Sequence, residues 1–340
     1  MGVNSMEKMT TKEIASIAGL SQKTISRVLN NEKYVKDETR KKVLEIIEKY
    51  GYEPNFFARG LKTCESNMIG LILGDIENPF YAALSKGVTD ECEKNGYNVI
   101  VCNTYYNQDK GERYIKMLIN KGIDGLLIST IPVKEEFLQN SKIKIPYVLI
   151  SYHSKLKGIN FVTTDDYYGG ILATEYLLGL GHKKIYFLKV ADVASAGERV
   201  RAFKDTLKKH NIYFDDSYIS PNLYNAERSY YETEKVIKSN RGFTAFMGAN
   251  DFLAMGAMQA VLDLKLRVPQ DYSIIGYDNI KFISLLKVPL TTIKQPKIIL
   301  GELASKRLIE MLRNPENNKR AKKLIIKPEL IIRESCKKIN

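Results

Sequence analysis

Four cysteines, at 64, 92, 102 and 336, and three histidines, at 153, 182 and 210, are the whole supply of thiol and imidazole in a chain of 340 residues. The cysteines form no CxxC and no disulfide-like framework. The histidines lie too far apart in sequence for metal-ligand spacing. No stretch reaches about 18 consecutive apolar residues, and the chain does not open with an apolar signal segment. These absences point to a reduced cytoplasmic protein with no metal and no cofactor. Catalytic signatures are missing as well: there is no GxSxG, no HExxH and no GxxxxGK[ST]. His182, in GHKK, precedes a strand at its amino end. Asp165 and Asp166 are adjacent in a loop, which is a poor arrangement for a carboxylate pair across a substrate. The chain reads as a binding protein rather than an enzyme.

Positive charge is in excess, with 52 Lys and Arg against 39 Asp and Glu, a net of +13 and a pI near 9.3. An anionic partner is favoured, but composition alone does not choose nucleic acid over a membrane surface. Nor is the charge gathered at the front: residues 1–63 carry 12 basic against 8 acidic side chains, residues 294–340 carry 13 against 5. The length suggests two or three domains with material for real cores. Methionines at 1, 6 and 9 leave the start of translation open, and the folded part need not begin before Thr10.

From Thr10 the pattern is helical. Thr10-x-x-Glu13 is a capping box ahead of an apolar stripe of Ile14, Ala15, Ile17 and Ala18. Gly19 stops that helix, Ser21 caps the next, and Ile25, Val28 and Leu29 point inward. A third helix follows in DETRKKVLEIIEKYG, with Val43, Leu44, Ile46, Ile47 and Tyr50 on its packing side. Lys36, which is no side-chain cap, stands at its start, and Asp37 and Glu38 compensate through the helix dipole. Once the apolar residues of SQKTISRVLNN are placed inside, Gln22, Lys23, Ser26 and Arg27 remain. Gln and Lys pair with base edges in a major groove; Ser21, Thr24 and Arg27 suit phosphate oxygens beside a helix N-terminus. A solvated polar face is the bland alternative. The AxxAGLS turn favours helix-turn-helix.

Residues 53–67, EPNFFARGLKTCESN, are too short for a domain and too patterned for a free linker. Pro54 biases Glu53 toward an extended form, and Asn55 can cap a short helical turn, FFARGL. From Asn67 strands and helices alternate in two similar sets, the rhythm of parallel sheets in two lobes with a cleft between them. Ligands in such folds sit at the carboxyl ends of strands, here LGDIENPF, CNTYY, STI, GAND and GYDN.

Taken together, TTKEIASIAGLSQKTISRVLNN, VKDETRKKVLEIIEKYGYEPN, ARGLKT, IGLILGDIENPFYAALSKGVTDECEKNGYNVIVCNT, GHKKIYFL, AFMGANDFLAMGAMQAV, RVPQDYSIIGYDN and PLTTIKQP resemble, in order and over residues 10–335, the LacI/GalR family of bacterial transcriptional regulators. The resemblance implies an all-α helix-turn-helix head (10–53), a hinge helix and linker (54–66) and a two-lobed α/β effector domain of periplasmic-binding-protein type (67–340). The lobes are expected at 67–160 plus 292–323 and at 161–291 plus 324–340. It implies DNA contacts from Thr10, Ser21, Gln22, Lys23, Thr24, Ser26, Arg27 and Asn30. From the hinge, Asn55, Ala58 and Leu61 join them, Leu61 as a wedge in the central minor-groove step.

The same resemblance implies an effector site of Asp75, Asn78, Phe80, Tyr81, Asp165, Arg199, Tyr224, Asn250 and Asp278, taking a small polar ligand, a sugar or sugar phosphate. Asp251 is expected to cap the helix that follows it. Val200-Arg201-Ala202 departs from the small pair usual after the arginine, and the pocket's shape is expected to differ there. No terminal leucine heptad follows PELIIRESC, so a homodimer on near-palindromic operator DNA is expected. The reading is a repressor governed by its effector; a nucleobase effector or a protein corepressor is the alternative. A solute-binding protein without DNA function would share the cleft but lack the head.

Overall fold

The computed structural model describes residues 9–29, 32–52, 66–129, 137, 143–154, 158–190, 194–314, 316 and 321–339. The chain divides into two compact units, Met1–Ser66 and Asn67–Asn340.

In the first unit, α1 (Thr11–Ala18), α2 (Gln22–Leu29) and α3 (Asp37–Lys49) enclose a miniature core. Thr10 and Glu13 form the reciprocal capping box: the Thr10 hydroxyl accepts from the Glu13 amide and the Glu13 carboxylate accepts from the Thr10 amide at 2.6 Å. Hydrogen bonds from Thr10 hold the exposed Glu13 carboxyl below its ordinary range. Gly19 closes α1 at φ 65°, a left-handed conformation that glycine adopts without penalty. Ser21 Oγ then accepts from the Thr24 amide at 3.1 Å and opens α2. Lys36 makes no side-chain cap to α3, whose first turn carries Asp37 and Glu38. Ile14, Ala15, Ala18, Ile25, Val28 and Val43 are buried, with Ile46 and Ile47 packed against them. Leu44, Tyr50 and Ile17, expected to pack, are about half exposed. So small a core covers one narrow stripe per helix, and neighbouring apolar positions are left at its rim.

The second unit contains two sheets. The first has strand order β10-β5-β4-β3-β1-β2, all parallel, from β1 (Met68–Leu73), β2 (Asn98–Asn103), β3 (Gly125–Ser129), β4 (Tyr147–Ile150), β5 (Phe161–Thr164) and β10 (Lys323–Ile326). The second, β11-β9-β8-β7-β6, uses β6 (Ile185–Leu188), β7 (Ala245–Gly248), β8 (Ser273–Asp278), β9 (Thr291–Lys294) and β11 (Glu329–Ile331). It is parallel apart from β11, which runs antiparallel to β9. The strands are near-continuous apolar runs because helices cover both faces. Those helices are α4 (Pro79–Lys94), α5 (Gln108–Asn120), α6 (Asp166–Gly179), α7 (Ala194–Lys209), α8 (Ala226–Lys238), α9 (Asp251–Asp263) and α10 (Lys297–Arg313).

The lobe boundaries differ from the expected ones. β5 belongs to the first sheet, where it pairs with β4 and β10, and β9 belongs to the second, between β8 and β11. The chain therefore crosses between lobes after Thr164, after Lys294 and after Ile326. Alternation along a sequence marks a strand but carries no information about which sheet it joins.

Two helix contacts set the geometry. α4 and α10 meet so closely at Gly87 that a Cβ there would lie 2.1 Å from the Ile298 carbonyl oxygen. α6 meets α7 where Gly170 faces Ala202; a Cβ on Gly170 would lie 2.6 Å from that of Ala202. The alanine that departs from the family's small pair is thus fully buried and accommodated by a glycine on the facing helix. Among the described residues no helix is long and apolar enough to cross a membrane.

Candidate functional site

On the head, Gln22 and Lys23 occupy the exposed first turn of α2, which has no acidic residue. Arg27, one turn on, is 45% exposed and loosely paired with Glu32 at 3.5 Å. Ser21 and Thr24 join hydroxyls at 2.9 Å beside the helix N-terminus. Thr10 is engaged with Glu13, its hydroxyl donating at 2.9 Å. This surface offers amide and cationic donors next to a helix N-terminus, a set that matches phosphate oxygens and purine edges. Asn30, Asn55, Ala58 and Leu61 lie outside the described residues.

The cleft lies between the carboxyl ends of the two sheets. Its unfilled volume, mouth included, is about 360 Å³, and its walls are Asn78, Phe80, Tyr81, Tyr106, Ser151, Val190, Ser195, Arg199, Asn250, Asp278 and Gln295. Six of the nine residues expected there line it. Asp165 does not: its carboxylate caps α6, accepting from the Tyr168 amide at 2.9 Å. Asp75 closes a turn, accepting from the Glu77 amide at 3.1 Å, and Tyr224 is half exposed with Arg228 over its ring. The cap of α9 is Asn250, which accepts from the Leu253 amide, and not Asp251. Asp251 turns inward instead, taking bonds from Thr292 Oγ1 at 2.5 Å and the Ile280 amide at 2.8 Å.

Capping fixes two cleft side chains in one orientation. Asn78 Oδ1 accepts from the Phe80 amide and Asn250 Oδ1 from the Leu253 amide, each at 2.9 Å. Each asparagine is thereby left with its NH₂ as the group to offer a ligand, so the oxygen and nitrogen positions follow from the cap. Gln295 Nε2 donates to Asp278 Oδ1 at 2.6 Å, and Gln295 Oε1 is buried with no partner among the described residues. The Ser151 hydroxyl is likewise buried and unpartnered, on a backbone at φ 53°. A buried acceptor or hydroxyl left without a hydrogen bond is costly, and a ligand group is one way to supply it.

Arg199 lies beneath these groups. Its Nε and Nη2 reach Asp166 Oδ1 at 2.9 and 2.8 Å, Nη1 donates to the Ala249 carbonyl at 2.5 Å, and the guanidinium stacks 3.7 Å from the centre of the Tyr277 ring. Burial works against its charge, but Asp166, then Tyr277 and Asp278, outweigh it and hold the guanidinium protonated. The other oxygen of Asp166 lies 3.3 Å from His153 Nε2. Burial pulls the His153 pKa down; the hydrogen bond and charge of Asp166 outweigh it, and the net shift is upward.

Asp278 is held at φ 118°, rare for a side chain other than glycine, and burial raises its carboxyl pKa against the pull of Arg199, Lys297 and Gln295. Lys297 sits on the carbonyls of Asp278 and Asn279, the latter at 2.9 Å. Arg201 points elsewhere: it is exposed, paired with Glu198, and lies over Tyr167. Phe80 and Tyr81 meet edge to face, 5.1 Å apart at 89°, with Tyr106 beside Tyr81.

Sequence reasoning placed Tyr106 at a strand end, in CNTYY, without naming it as a site residue, and missed Ser151, Val190, Ser195 and Gln295 at the cleft and Asp166 behind it. Ser151 follows β4 of the first sheet, a position that could have nominated it in the same way. Gln295 stands on a crossover and carries no local signal.

Comparison with known proteins fits this layout. Residues 10–55 match the model for bacterial regulatory proteins of the lacI family, and 174–336 match a periplasmic binding protein-like domain. A transcriptional repressor named PurR from Vibrio vulnificus is 33% identical over 334 residues, covering 97% of this chain and 99% of its own length. A LacI family regulator from Enterococcus faecium, solved with bound ribose, superposes with a TM-score of 0.73 at 29% identity, over 80% of this chain and 100% of its own. The lac repressor dimer, solved on its operator with the anti-inducer ONPF, shares the fold at a TM-score of 0.85 and 24% identity, over 97% and 99% of the two chains.

Proposed function

The chain belongs to the lacI family of bacterial regulatory proteins, and from that premise we propose that its operator affinity is set by a small, hydroxyl-rich effector held in the cleft. The observation that carries this reading is the pair of buried groups at the cleft wall, Ser151 Oγ and Gln295 Oε1, that have no partner among the described residues. They face an environment of Asn78 and Asn250 amide donors and the Asp278 carboxylate. Hydroxyls both donate and accept, so a sugar satisfies such a wall from several sides at once. The cleft draws on both lobes, so an effector that fits one relative arrangement better than another shifts the population toward it. The resulting coupling to DNA is reciprocal. The relatives named as transcriptional repressors support a repressor rather than an enzyme.

DNA is read by the head. Gln22 and Lys23 address base edges, Arg27 and the α2 N-terminus address phosphates, and Leu61 and Ala58 of the hinge address the minor groove. Two heads on one near-palindromic operator require a twofold pair, so the working form is a homodimer. Selection of bound sequences from a random duplex library tests the head: an enriched, two-fold symmetric site that deletion of residues 1–63 abolishes supports it. A thermal-shift series of sugars, sugar phosphates and nucleobases, repeated with Arg199→Ala and Asp278→Ala, tests the cleft. A strong ligand unaffected by both substitutions sinks the assignment. A nucleobase hit would favour the nucleobase alternative, although the edge-to-face Phe80 and Tyr81 present no parallel slot for a flat ring. No small-molecule hit at all would move the reading to a protein corepressor.

A further inference from the structure

Among the described residues Arg199 is the cation that lines the cleft, and its charge is already cancelled. Nε and Nη2 converge on one oxygen of Asp166, at 2.9 and 2.8 Å, and both side chains are at least nine-tenths buried. Nη1 is bound to a backbone carbonyl. A guanidinium has five N–H donors, so Arg199 can still donate a hydrogen bond to a ligand hydroxyl, but it offers no uncompensated positive charge. The next cation, Lys297, donates to the carbonyls of Asp278 and Asn279, and its charge is set against the Asp278 and Asp251 carboxylates. Arg201, which the sequence suggested could meet an anionic group, is on the surface with Glu198. Against these stands Asp278, a carboxylate in the cleft wall itself. A phosphate brought here would meet a carboxylate and a neutralised arginine in a site of low dielectric, where like charges repel strongly.

We propose that Asp166, which does not line the cleft, sets the charge class of the effector: by cancelling Arg199 it makes the cleft select an uncharged polyol and reject its phosphorylated form. This rests on the reading of the cleft as a site for a hydroxylated ligand and narrows it. Asp166 acts through Arg199 and is a positioning and charge-compensating residue. His153, on its other oxygen, would return a positive charge to the cluster if protonated, so the measurement belongs at a pH of about 8.5, well above the ordinary imidazole range.

The test is calorimetric titration of the full chain with matched pairs: ribose and ribose 5-phosphate, glucose and glucose 6-phosphate, fructose and fructose 1-phosphate. The wild-type chain should bind a neutral member at least ten-fold more tightly than its phosphate. The near-isosteric Asp166→Asn should shrink that preference at least ten-fold by freeing the arginine's charge, an effect that mere loosening of the pocket, which weakens both members together, would not produce. A wild-type chain that binds the phosphorylated member as well or better overturns the proposal and leaves the polyol reading standing.

If no sugar of either kind binds, the polyol reading fails, and inorganic phosphate decides the charge question alone. Phosphate that raises the melting temperature of Asp166→Asn through Arg199, with the gain lost in Asp166→Asn/Arg199→Met and absent in wild type, sustains the cancellation. Equal stabilisation of wild type and Asp166→Asn refutes it. Should Asp166→Asn not fold, the wild-type chain compared with Arg199→Met in phosphate answers the same question: an Arg199-dependent gain in wild type overturns the proposal, and its absence sustains it.

Discussion

Two arginines separate the two halves of this regulator. Arg27, on the head, is 45% exposed and holds Glu32 at 3.5 Å, a contact that solvent screens. Arg199, in the effector domain, is buried and engaged on Asp166, a backbone carbonyl and an aromatic ring at once. One side chain faces solvent with a loose, screened partner, and the other has a buried internal anion. The contrast teaches that exposure keeps a cation available to any outside anion, while burial requires its charge to be compensated within the fold.

The sharpest way to break that comparison is to remove each arginine. Arg199→Met leaves Asp166 buried and unpaired and should cost the effector domain about 3–5 kcal/mol in urea unfolding. Arg27→Met should change stability by less than about 1 kcal/mol while weakening operator binding across all sequences. Equal stability losses would mean that Arg199 is no more committed than its surface counterpart.

Next in size is the helix crossing that carries Arg199. Gly170→Ala sets a methyl against Ala202 and should destabilise by about 1–3 kcal/mol. Adding Ala202→Gly should recover most of that loss, because the two positions share one space. An additive double variant would show that they do not.

On the head, Gln22→Ala or Lys23→Ala should relax discrimination at one half-site position by about 1–3 kcal/mol, read by competition between operator variants, with sugar binding unchanged. A uniform loss at every position would make these residues phosphate contacts instead.

The smallest effect is in pH. His153 has its pKa raised above the ordinary value of 6.5, with Asp166 outweighing the opposing pull of burial. Its contribution is fully present below 6.5 and is lost as pH rises through its folded value. His182, whose pKa burial lowers, behaves oppositely: its contribution holds above 6.5 and is lost as pH falls through the lower, folded value. Stability curves of His153→Gln and His182→Gln against pH should therefore diverge from wild type on opposite sides of neutrality. Divergence of His153→Gln only at alkaline pH would reverse the sign assigned to the Asp166 contact.

The two halves also differed in how far they could be read beforehand. The capping box at Thr10, the Gly19 stop, the Ser21 cap and the exposed Gln22, Lys23 and Arg27 follow from helix periodicity and local hydrogen bonding, which a sequence states directly. The apolar runs of β1–β4 and β6–β8 were legible for the same reason; β5, β9, β10 and β11, short and next to lobe crossings, were not. Which of Asp165 and Asp166 turns inward was not, because a one-residue shift at a helix start exchanges cap for core. Asn250 and Asp251 pose the same ambiguity, resolved by Thr292 and Ile280 from distant strands. Gln295 becomes a cleft residue only because the chain crosses between lobes there.

Those crossings also dictate an order of completion during synthesis. The first lobe begins at Met68, yet one face of its sheet is covered by Leu300, Ala304, Leu308, Ile309 and Met311 of α10, which emerge only after β6–β9 of the other lobe have been made. Until then the apolar side of β1, β3 and β4 lacks that helix as partner, and its edge strand β5 lacks β10. The lobe started first is closed after most of its neighbour has been translated. A nascent chain halted before Lys297 therefore leaves that apolar face without its covering helix, the kind of exposed surface on which incomplete chains associate.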